Sequence, residues 1–577
     1  MQINYSFLNT KKTEVMIFLI IISSFIIDKF YLINISYLPA WDQGYHLANL
    51  FKTFNLLDNF SFNDQEWWKS FWSISETYRG PLTYIFSSIF LKFFGKNYES
   101  SILSNNIFSV ITILCIFNLC RELGDKKAGV WGAFIFAFNS YIFDQRIDYL
   151  IDISQICFLN LNFYILFKFF KSNGSYLLSL VLGITLGLLF LTKPTGILFL
   201  FFPYVYTFYL LIKNFNLNKL LFIVIFLSTF IISIWPWLSI NWLTIITSIV
   251  NSWQWGIKYQ EGLDANTLDG ILYYPNTIIK LIGPIILGSF LGVAFLAKFR
   301  QLNISNLIKK FPYLLSKNNI FLLSFPVNIL LLCTLMSTKD LRFILPIFPS
   351  LCIFSGLFLT NLKNYKWVKI FKIFVILIIL LKLLLHLFFH KNIGFKFDMA
   401  SKTNWPHKEI IEQVSRFSPN SKSVIAILPD TKELNTFNLA SEANLQNTNV
   451  YIRQIISNEK SYKDDLDRFN WFILKNGDQG VMFNNSKLAL SNLIKGSNKF
   501  ENFRSWELPD GTKATLYKRK KFDESISIIK KNIIPLDLDL IFSSNGITTI
   551  LKGSNETVSN SNLLLDVTNN NKKYQIN

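Results

Sequence analysis

The chain has 577 residues, of which 51% are hydrophobic and 16% aromatic, and its mean hydropathy is +0.33. This composition is too apolar for a soluble enzyme of that length and indicates a polytopic membrane protein. The formal net charge is +20. Because the basic residues cluster in the connections between apolar runs, we read the charge as a sign of membrane topology and expect no nucleic-acid partner.

Apolar runs long enough to cross a bilayer recur as far as residue 389 and predict about eleven transmembrane helices. The first, Val15–Ile35, has no small-residue cleavage site, so we interpret it as a retained helix. All five cysteines lie inside such runs, which excludes a disulfide framework and a zinc-ligand spacing. The runs are 15–35, 101–120, 128–143, 151–170, 175–191, 195–212, 219–240, 272–297, 320–337, 343–361 and 370–389.

The connections between these runs alternate between segments rich in lysine and arginine and longer segments poor in both. Because positively charged connections stay in the cytoplasm, the alternation predicts a cytoplasmic N-terminus and an outer position for Asp42. An odd number of crossings then predicts that the C-terminal region is outside as well. We therefore expect a multi-pass protein of the cell (inner) membrane with an extracytoplasmic C-terminal domain.

Two of the predicted outer connections are long for simple links between helices. The segment from Asp42 to Ser100 predicts short amphipathic helices on the membrane surface, with an apolar patch over 82–94 that re-enters the membrane or lies flat. The connection from Asn241 to Asp269 is rich in tryptophan. It predicts a loop whose aromatic side chains form an interfacial belt or stack on a sugar or lipid.

From Lys391 the composition becomes polar and mixed. We predict a transmembrane domain over 1–390, a soluble α/β domain over 391–520 and a polar tail over 521–577 that adds strands or stays loosely ordered. The loops Pro429–Asn435 and Gly477–Gly480 are expected to be turns at strand ends. The predicted strands are 423–428, 450–452, 471–474 and 514–517.

Ionisable residues in the outer connections are the functional candidates, because charge at a membrane edge is costly to keep. Asp42 directly follows the first apolar run and lies between Trp41 and Tyr45, residue types that favour the interface. A carboxylate there can remove a proton from a hydroxyl or amine, and cations can hold a departing phosphate. The candidates are Asp42, His46, Glu76, Arg79, Asp144, Arg146, Asp148, Asp152, Lys193, Lys339, Asp340 and Arg342.

Five stretches of the chain resemble, in order, motifs of the GT-C glycosyltransferases. That superfamily includes the dolichyl-phosphate-mannose protein mannosyltransferases and the aminoarabinose transferases acting on lipid A. The resemblance covers about residues 1–390, and the order of the motifs is more specific than any one of them. The stretches are Pro39–His46, Arg79–Tyr84, Arg146–Asp152, Gly187–Pro194 and Asp340–Pro346.

The resemblance implies a GT-C-like helical membrane fold and an inverting transfer of a sugar from a polyprenyl-phosphate donor. The acceptor would be a lipid, a protein or a glycan at the extracytoplasmic face. Asp42 would be the general base, and Asp152 a second acidic residue that orients acceptor or donor. Lys193 and Arg342 would hold the donor phosphate, with Arg79 as a further candidate.

One residue departs from the family pattern. Many relatives have a glutamate after the first aspartate, whereas Gln43 follows Asp42 here. A metal ion that needs both carboxylates is therefore disfavoured. We assign no cofactor and no metal ligand, and we leave a divalent metal open.

Several assignments have structural alternatives. Asp152 could cap its helix, and Asp148, one turn earlier, competes for the same catalytic role. Lys193 could be an interface residue whose ammonium group reaches toward water. Arg342 could simply pair with Asp340.

The remaining candidates have simpler interpretations. His46 lies one turn after Asp42 and is an accessory candidate, although a packed or solvated ring explains it as well. Arg146 is expected to pair with Asp144 or Asp148. A solvated position is expected for Glu76, and a solvated or interface position for Lys339.

Two other functions compete with sugar transfer. A transporter or flippase of lipid-linked saccharides would show sequence repeats and polar residues at mid-membrane, and neither pattern is found. A polymerase or ligase of lipid-linked saccharides also has many spans and long outer loops. It usually depends on outer arginines without an aspartate just after the first helix.

Overall fold

The computed structural model forms two compact units. One consists of Met1–Ser36 and Asn49–Lys402, and the other of Tyr37–Ala48 and Thr403–Asn577. The short segment around Asp42 therefore belongs with the C-terminal residues. The structure describes residues 5–32, 38–74, 79–213, 216–258, 263, 265–281, 316–336, 338–362, 366–389, 405–417, 422–455, 466, 468–480, 484–520, 537–543, 546–552, 565–569 and 572–576.

The described residues up to Phe389, about two thirds of the chain, are mainly helical. Short 3-10 helices follow α9 and α13, at Pro194–Leu200 and Leu345–Ile347, and residues 268–281 are also helical. The α-helices are α1 (Tyr5–Leu32), α2 (Trp41–Asp58), α3 (Gln65–Trp72), α4 (Leu82–Phe94), α5 (Tyr98–Glu122), α6 (Lys126–Ala137), α7 (Ser140–Ile147), α8 (Asp152–Lys171), α9 (Tyr176–Thr192), α10 (Phe201–Lys213), α11 (Leu217–Lys258), α12 (Lys317–Leu335), α13 (Leu341–Ile344), α14 (Phe348–Asn361) and α15 (Lys366–Phe389).

The helices confirm a polytopic membrane protein. Within the described ranges, eight helical segments are long and apolar enough to cross a bilayer, and α4 and α9 are shorter apolar helices. These segments coincide with most of the apolar runs in the sequence. The expected total of eleven crossings stays a prediction.

Aromatic stacking and small residues join the helices of the first unit. The ring of Phe163 in α8 stacks on Phe325 in α12, with centroids 4.4 Å apart. Gly183 in α9 lies so close to α11 that a Cβ atom there would be 1.9 Å from the hydroxyl of Thr229. Small residues at such positions allow two membrane helices to pack backbone to backbone.

Of the two long connections that the sequence predicted, the first agrees with the structure and the second does not. The first contains α2 and α3 as expected, and α3 buries Trp67 and Phe71 while Glu66 stays exposed, as an amphipathic helix should. The predicted loop is wrong over 241–258, because α11 continues without a break to Lys258. The chain has no proline between those two residues, and Gly256 does not interrupt the helix, so this segment extends α11.

Arg146 does not pair with its predicted partners. Its guanidinium Nε and Nη2 donate to the two carboxylate oxygens of Asp28 in α1, at 2.6 and 2.9 Å, and both side chains are fully buried. Nη1 donates to the carbonyl of Ala137 at 2.8 Å. Asp144 contacts His386 at 2.6 Å instead. A buried arginine is stabilised by a carboxylate that accepts two hydrogen bonds, and Asp28 from another helix supplies that carboxylate.

The second unit contains a five-stranded mixed sheet in the order β2-β1-β3-β5-β4. Strand β1 lies between β2 and β3 and is parallel to both, and β5 is antiparallel to β3 and β4. Apolar side chains pack on both faces of the sheet. The elements are α16 (His407–Phe417), β1 (Ser423–Ile427), α17 (Thr436–Leu445), β2 (Val450–Gln454), β3 (Trp471–Lys475), α18 (Asn484–Gly496), β4 (Phe500–Glu507) and β5 (Lys513–Arg519).

The four predicted strands are confirmed as β1, β2, β3 and β5. The sequence analysis missed β4, whose alternation is interrupted by a register shift between Asn502 and Arg504. Beyond residue 536 the described residues form two hairpins, β6 (Asp537–Ser543) with β7 (Gly546–Lys552) and β8 (Leu565–Asn569) with β9 (Lys572–Ile576).

Candidate active site

An ion pair between Lys193 and Asp152 lies at the centre of the candidate site in the first unit. The ammonium nitrogen is 3.3 Å from the carboxylate Oδ1, and the side chains are only 13% and 9% exposed. Ile151 occupies the N-cap of α8 and makes no side-chain cap. The interpretation of Asp152 as a cap is therefore wrong. Its carboxylate still lies in the first turn of α8, where the helix dipole favours negative charge.

The sequence around Lys193 explains why this side chain stands at a helix end. The residue before a proline is pushed out of the helical conformation, and Lys193 precedes Pro194 with an extended backbone, φ −154° and ψ 104°. Its carbonyl then accepts from the N–H of Gly196 at 2.8 Å. The break between α9 and the following 3-10 helix thus fixes the backbone from which the ammonium group projects.

Arg342 is held by its neighbour Asp340. Asp340 caps α13, with Oδ1 accepting from the backbone N–H of Arg342 at 2.8 Å. The other oxygen, Oδ2, accepts from Nε at 2.9 Å and lies 2.8 Å from Nη2. The structural alternative for Arg342 is therefore present in the structure. Both side chains remain about one-third exposed, at 30% and 32%.

Phe343 links the Arg342 stretch to Lys193. The Lys193 ammonium nitrogen lies 5.4 Å from the centre of the Phe343 ring, within the range of a cation–π interaction. Phe343 lies inside the Asp340–Pro346 motif, but its sequence position alone predicted no role for it. The structure brings Asp152, Lys193 and the Arg342–Phe343 pair together from the start of α8, the end of α9 and α13.

Lys339 is partly buried, so the solvated alternative predicted for it is wrong, while the interface alternative stays a prediction. Its ammonium group donates to the carbonyls of Cys333 and Thr334, at 3.2 and 2.7 Å, and so caps the end of α12. The ring of Tyr274 lies 5.2 Å from the same nitrogen. Partial burial lowers the pKa of Lys339 from its ordinary value. A lysine a few residues past a helix end is the signal that could have predicted this cap.

The Arg79 stretch runs alongside the end of α9. The N–H of Gly80 donates to the carbonyl of Thr192 at 3.1 Å, one residue before Lys193. A Cβ atom at Gly80 would lie 1.9 Å from the carbonyl oxygen of Leu191, so only glycine permits this approach. Arg79 itself is half-buried. Four of the five motifs therefore meet within the first unit. Glu76 lies outside the described residues.

Asp148 ends α7, and its backbone is tightly fixed. Its carbonyl accepts from the side-chain amide of Asn105 at 2.9 Å and from the N–H of Leu150 at 2.8 Å. The same amide donates to the carbonyl of Arg146 at 3.3 Å. Asn105 therefore orders the turn that leads into Asp152, a role that sequence reasoning missed because asparagine inside an apolar run carries no specific signal.

Asp42 and His46 lie in the second unit, at the start of α2. Trp41, the first residue of the helix, has a left-handed backbone with φ +47°, and Asp42 follows it in the first turn, half-buried. His46 is 2% exposed, and its ring packs against Tyr45 with centroids 5.5 Å apart. The packed interpretation of His46 agrees with this burial.

Cations slightly outnumber carboxylates among the motif residues of the first unit and their immediate neighbours. Apart from Arg146, which pairs with Asp28, the cations are Arg79, Lys193, Lys339 and Arg342, and the carboxylates are Asp148, Asp152 and Asp340. Lysine and arginine side chains are the usual protein partners of phosphate groups. Within the part of the chain that the structure describes, no three His, Cys, Asp or Glu side chains are grouped so that they could hold a metal ion.

Comparisons with known proteins extend this picture. Residues 78–240 match the model of the dolichyl-phosphate-mannose-protein mannosyltransferase family, and this range includes the Arg79, Asp152 and Lys193 motifs. No curated protein sequence matches the chain. The crystal structure of ArnT from Cupriavidus metallidurans bound to undecaprenyl phosphate is similar over 86% of this chain and 97% of ArnT, with a TM-score of 0.54 and 11% identity. The protein has the GT-C fold.

Two further structures resemble this GT-C chain. ArnT in the apo state matches with a TM-score of 0.52 and 11% identity, over 88% of the chain and 98% of ArnT. The oligosaccharyltransferase AglB from Archaeoglobus fulgidus, in complex with an inhibitory peptide and a dolichol-phosphate, matches with a TM-score of 0.47 and 12% identity, over 86% of this chain and 74% of AglB. The ArnT likeness shows that this protein shares the GT-C architecture, and it concerns the fold alone.

Proposed function

We propose that this GT-C protein is a membrane glycosyltransferase that moves a sugar from a polyprenyl-phosphate donor to a hydroxyl or amine of a lipid, protein or glycan. The proposal rests above all on the Lys193–Asp152 pair, with Phe343 and the Arg342 motif beside it. The matched family is described by a dolichyl-phosphate sugar, and the similar ArnT structure holds undecaprenyl phosphate. Both are polyprenyl phosphates, so the cations have a donor of the right chemistry.

In the proposed reaction the acceptor oxygen or nitrogen attacks the anomeric carbon from the face opposite the phosphate. The bond between that carbon and the phosphate oxygen breaks, and the configuration inverts. Asp42 takes the acceptor proton as general base. The polyprenyl phosphate leaves with one more negative charge than it had in the donor, and the cations of Lys193 and Arg342 stabilise this charge as it develops. Arg79 adds a third cation.

Asp152 acts through Lys193 in this proposal. A carboxylate 3.3 Å from the ammonium nitrogen holds the long Lys193 side chain in one orientation. The donor phosphate shares the ammonium group with Asp152 and shares the Arg342 guanidinium with Asp340. Because each cation keeps a carboxylate partner, the site releases its phosphate product more readily than unpaired cations would.

The direction of the membrane topology completes the proposal. We assign a cytoplasmic N-terminus and an extracytoplasmic C-terminal domain in the cell (inner) membrane, on the charge alternation of the connections. Sugar transfer then takes place at the outer face, where lipid-linked donors and surface acceptors meet.

The test is transfer by the purified full chain in lipid nanodiscs. Radiolabelled polyprenyl-phosphate sugars are offered with envelope lipids, proteins and glycans as acceptors, and both the new glycoside and the released polyprenyl phosphate are measured. We expect Asp42→Asn to lower kcat by roughly 10²- to 10⁴-fold, the usual contribution of a general base. Gln43→Ala, at the neighbouring position, serves as the matched control and should stay within a few-fold of wild type.

Two results would contradict the proposal. Full transfer by Asp42→Asn would remove the base assignment. Movement of the labelled donor across a proteoliposome membrane, with no new glycoside from any acceptor, would favour a flippase instead.

A further inference from the structure

The C-terminal sheet has an edge that is already occupied. The loops after β1 and β3 begin at the carboxyl ends of two neighbouring parallel strands. Open α/β sheets usually bind their ligands at this edge. Here Asp430, in the first loop, accepts a hydrogen bond from the indole N–H of Trp41 at 3.2 Å. The occupant of this edge is therefore the chain itself, 389 residues earlier in the sequence.

Asp430 is itself rigidly held. Its N–H donates to the carbonyl of Gln479 at 2.9 Å, and it forms a parallel bridge with Gly480 in the loop after β3. Gly480 has φ +77°, and a Cβ atom there would lie 1.9 Å from the carbonyl oxygen of Asp430. Asp430 is only 8% exposed. The two loops that the sequence marked as simple turns thus form one scaffold for a single carboxylate.

The residue that Asp430 holds has a strained backbone. Trp41 has φ +47°, a left-handed conformation that residues with a Cβ atom rarely adopt. Such strain persists only where surrounding contacts impose it, and it concentrates at functional sites. Asp42 follows directly, so the conformation at Trp41 sets the direction in which the Asp42 side chain leaves the start of α2.

Helix α17 holds the next turn of α2. The hydroxyl of Ser441 donates to the carbonyl of Gly44 at 2.8 Å, and the ring of Phe437 contacts Tyr45 edge-on with centroids 6.2 Å apart. A Cβ atom at Gly44 would lie 2.8 Å from the Cβ of Phe437 and 2.5 Å from the carbonyl oxygen of Pro39. Residues on both sides of Asp42 are therefore fixed by the C-terminal domain.

We propose that the C-terminal domain is a positioning element for Asp42, acting through the hydrogen bond from Trp41 to Asp430 and through the contact of Gly44 with α17. This proposal rests on the proposed function, because it assigns the domain a role in aiming the general base. Asp430 and Trp41 are positioning residues. They set the orientation of Asp42 and take no part in holding the donor phosphate.

The test compares variants of the full chain that differ in one hydrogen bond. Asp430→Ala removes the acceptor, Trp41→Phe removes the indole N–H, and Asp430→Asn keeps an acceptor oxygen in place. We expect the first two to lower kcat roughly 10- to 150-fold, the range of a hydrogen bond to a charged group, with the donor KM within twofold of wild type. Asp430→Asn should restore most of the rate.

Two further comparisons separate positioning from general damage to the fold. The double variant Trp41→Phe/Asp430→Ala should be no slower than either single variant, because both remove the same bond. Glu412→Ala, which breaks an exposed ion pair with Arg416 in the same domain, should leave kcat unchanged. If Asp430→Ala does not fold, Gly44→Ala provides a second route, since its methyl group displaces the start of α2.

Hydrogen exchange gives a readout that does not depend on activity. Peptides covering residues 38–48 should exchange faster in Asp430→Ala and in Trp41→Phe than in wild type. Unchanged exchange would overturn the proposal, and so would faster exchange with wild-type kcat, or an Asp430→Asn variant as slow as Asp430→Ala. Full activity of Asp42→Asn would refute the proposed function instead, and with it the need to aim this residue, while the exchange response would remain.

Discussion

The buried ion pair between Lys193 and Asp152 yields a prediction in which stability and activity separate. Coulomb's law gives an attraction of about 5 kcal/mol for unit charges 3.3 Å apart at an effective dielectric constant of about 20. Desolvation of two nearly buried ions offsets most of it. Removing one partner leaves the other charged and buried, so Lys193→Gln and Asp152→Asn should each destabilise the first unit by about 3–5 kcal/mol.

Replacing both residues should have a different effect. Lys193→Gln/Asp152→Asn leaves two neutral polar side chains and no buried charge, so its stability should return to within about 2 kcal/mol of wild type. Sugar transfer should not return with it. Loss of the ammonium group removes a charged hydrogen bond to the departing phosphate, worth about 1.5–3 kcal/mol, which corresponds to roughly a 10- to 150-fold lower kcat/KM.

The assay combines thermal unfolding in detergent with transfer kinetics on the same preparations. Lys171→Gln is the matched control, because Lys171 forms an ion pair with Glu122 at the far end of α8. That pair is exposed, and its loss should affect neither measurement. A double variant that recovers both stability and kcat/KM would refute the assignment of Lys193 to the phosphate. Single variants as stable as wild type would refute the buried pair.

Three other outcomes follow from the structure. Glu501→Cys should react with an impermeant thiol reagent from outside intact cells and Lys12→Cys should not, because the assigned topology puts residue 501 outside and residue 12 in the cytoplasm. Both positions are exposed and the native cysteines are buried, so labelling reports the side of the membrane. The reverse pattern would contradict the assigned topology. Asp28→Asn should lower the melting temperature strongly by leaving Arg146 charged and buried, and Asp28→Asn/Arg146→Gln should recover most of the loss; equal melting temperatures would show that the pair is not buried. Burial lowers the pKa of His407 to about 4. Because the unfolded chain binds this proton more readily, the free energy of unfolding is unaffected well above pH 6.5 and falls by about 3 kcal/mol as the pH drops to 4. Hydrogen exchange of the C-terminal domain against pH should show this loss in wild type and not in His407→Gln.

The sequence predicted best where one local rule dominates. Length and hydropathy predicted most of the spans. The break between the apolar runs 175–191 and 195–212 predicted a helix end near Lys193, and Pro194 explains why the helix ends there. Alternation predicted four of the five strands in the central sheet. It failed at β4, where the shift between Asn502 and Arg504 breaks the period of two on which such predictions depend.

Partners distant in the sequence were the main source of error. Arg146 was assigned to the nearest acids, but its partner Asp28 comes from a helix that precedes it by 118 residues. An aromatic-rich segment after Asn241 reads equally well as an interfacial loop or as helix, and only packing decides between them. The scaffold around Trp41 could not be predicted, because neither the conformation of that residue nor the pairing of two loop segments leaves a mark in local sequence.

The bond between Trp41 and Asp430 also has a consequence for biosynthesis. A ribosome adds about 5–20 residues per second, so the 389 residues between the two take roughly 20–80 s to make. During that time the membrane helices are inserted while the stretch around Asp42 has no partner to settle against. A prematurely terminated polypeptide would therefore carry most of its spans without the Trp41–Asp430 bond. If Asp42 is the general base that we propose, such a polypeptide would be inactive until the C-terminal residues are made.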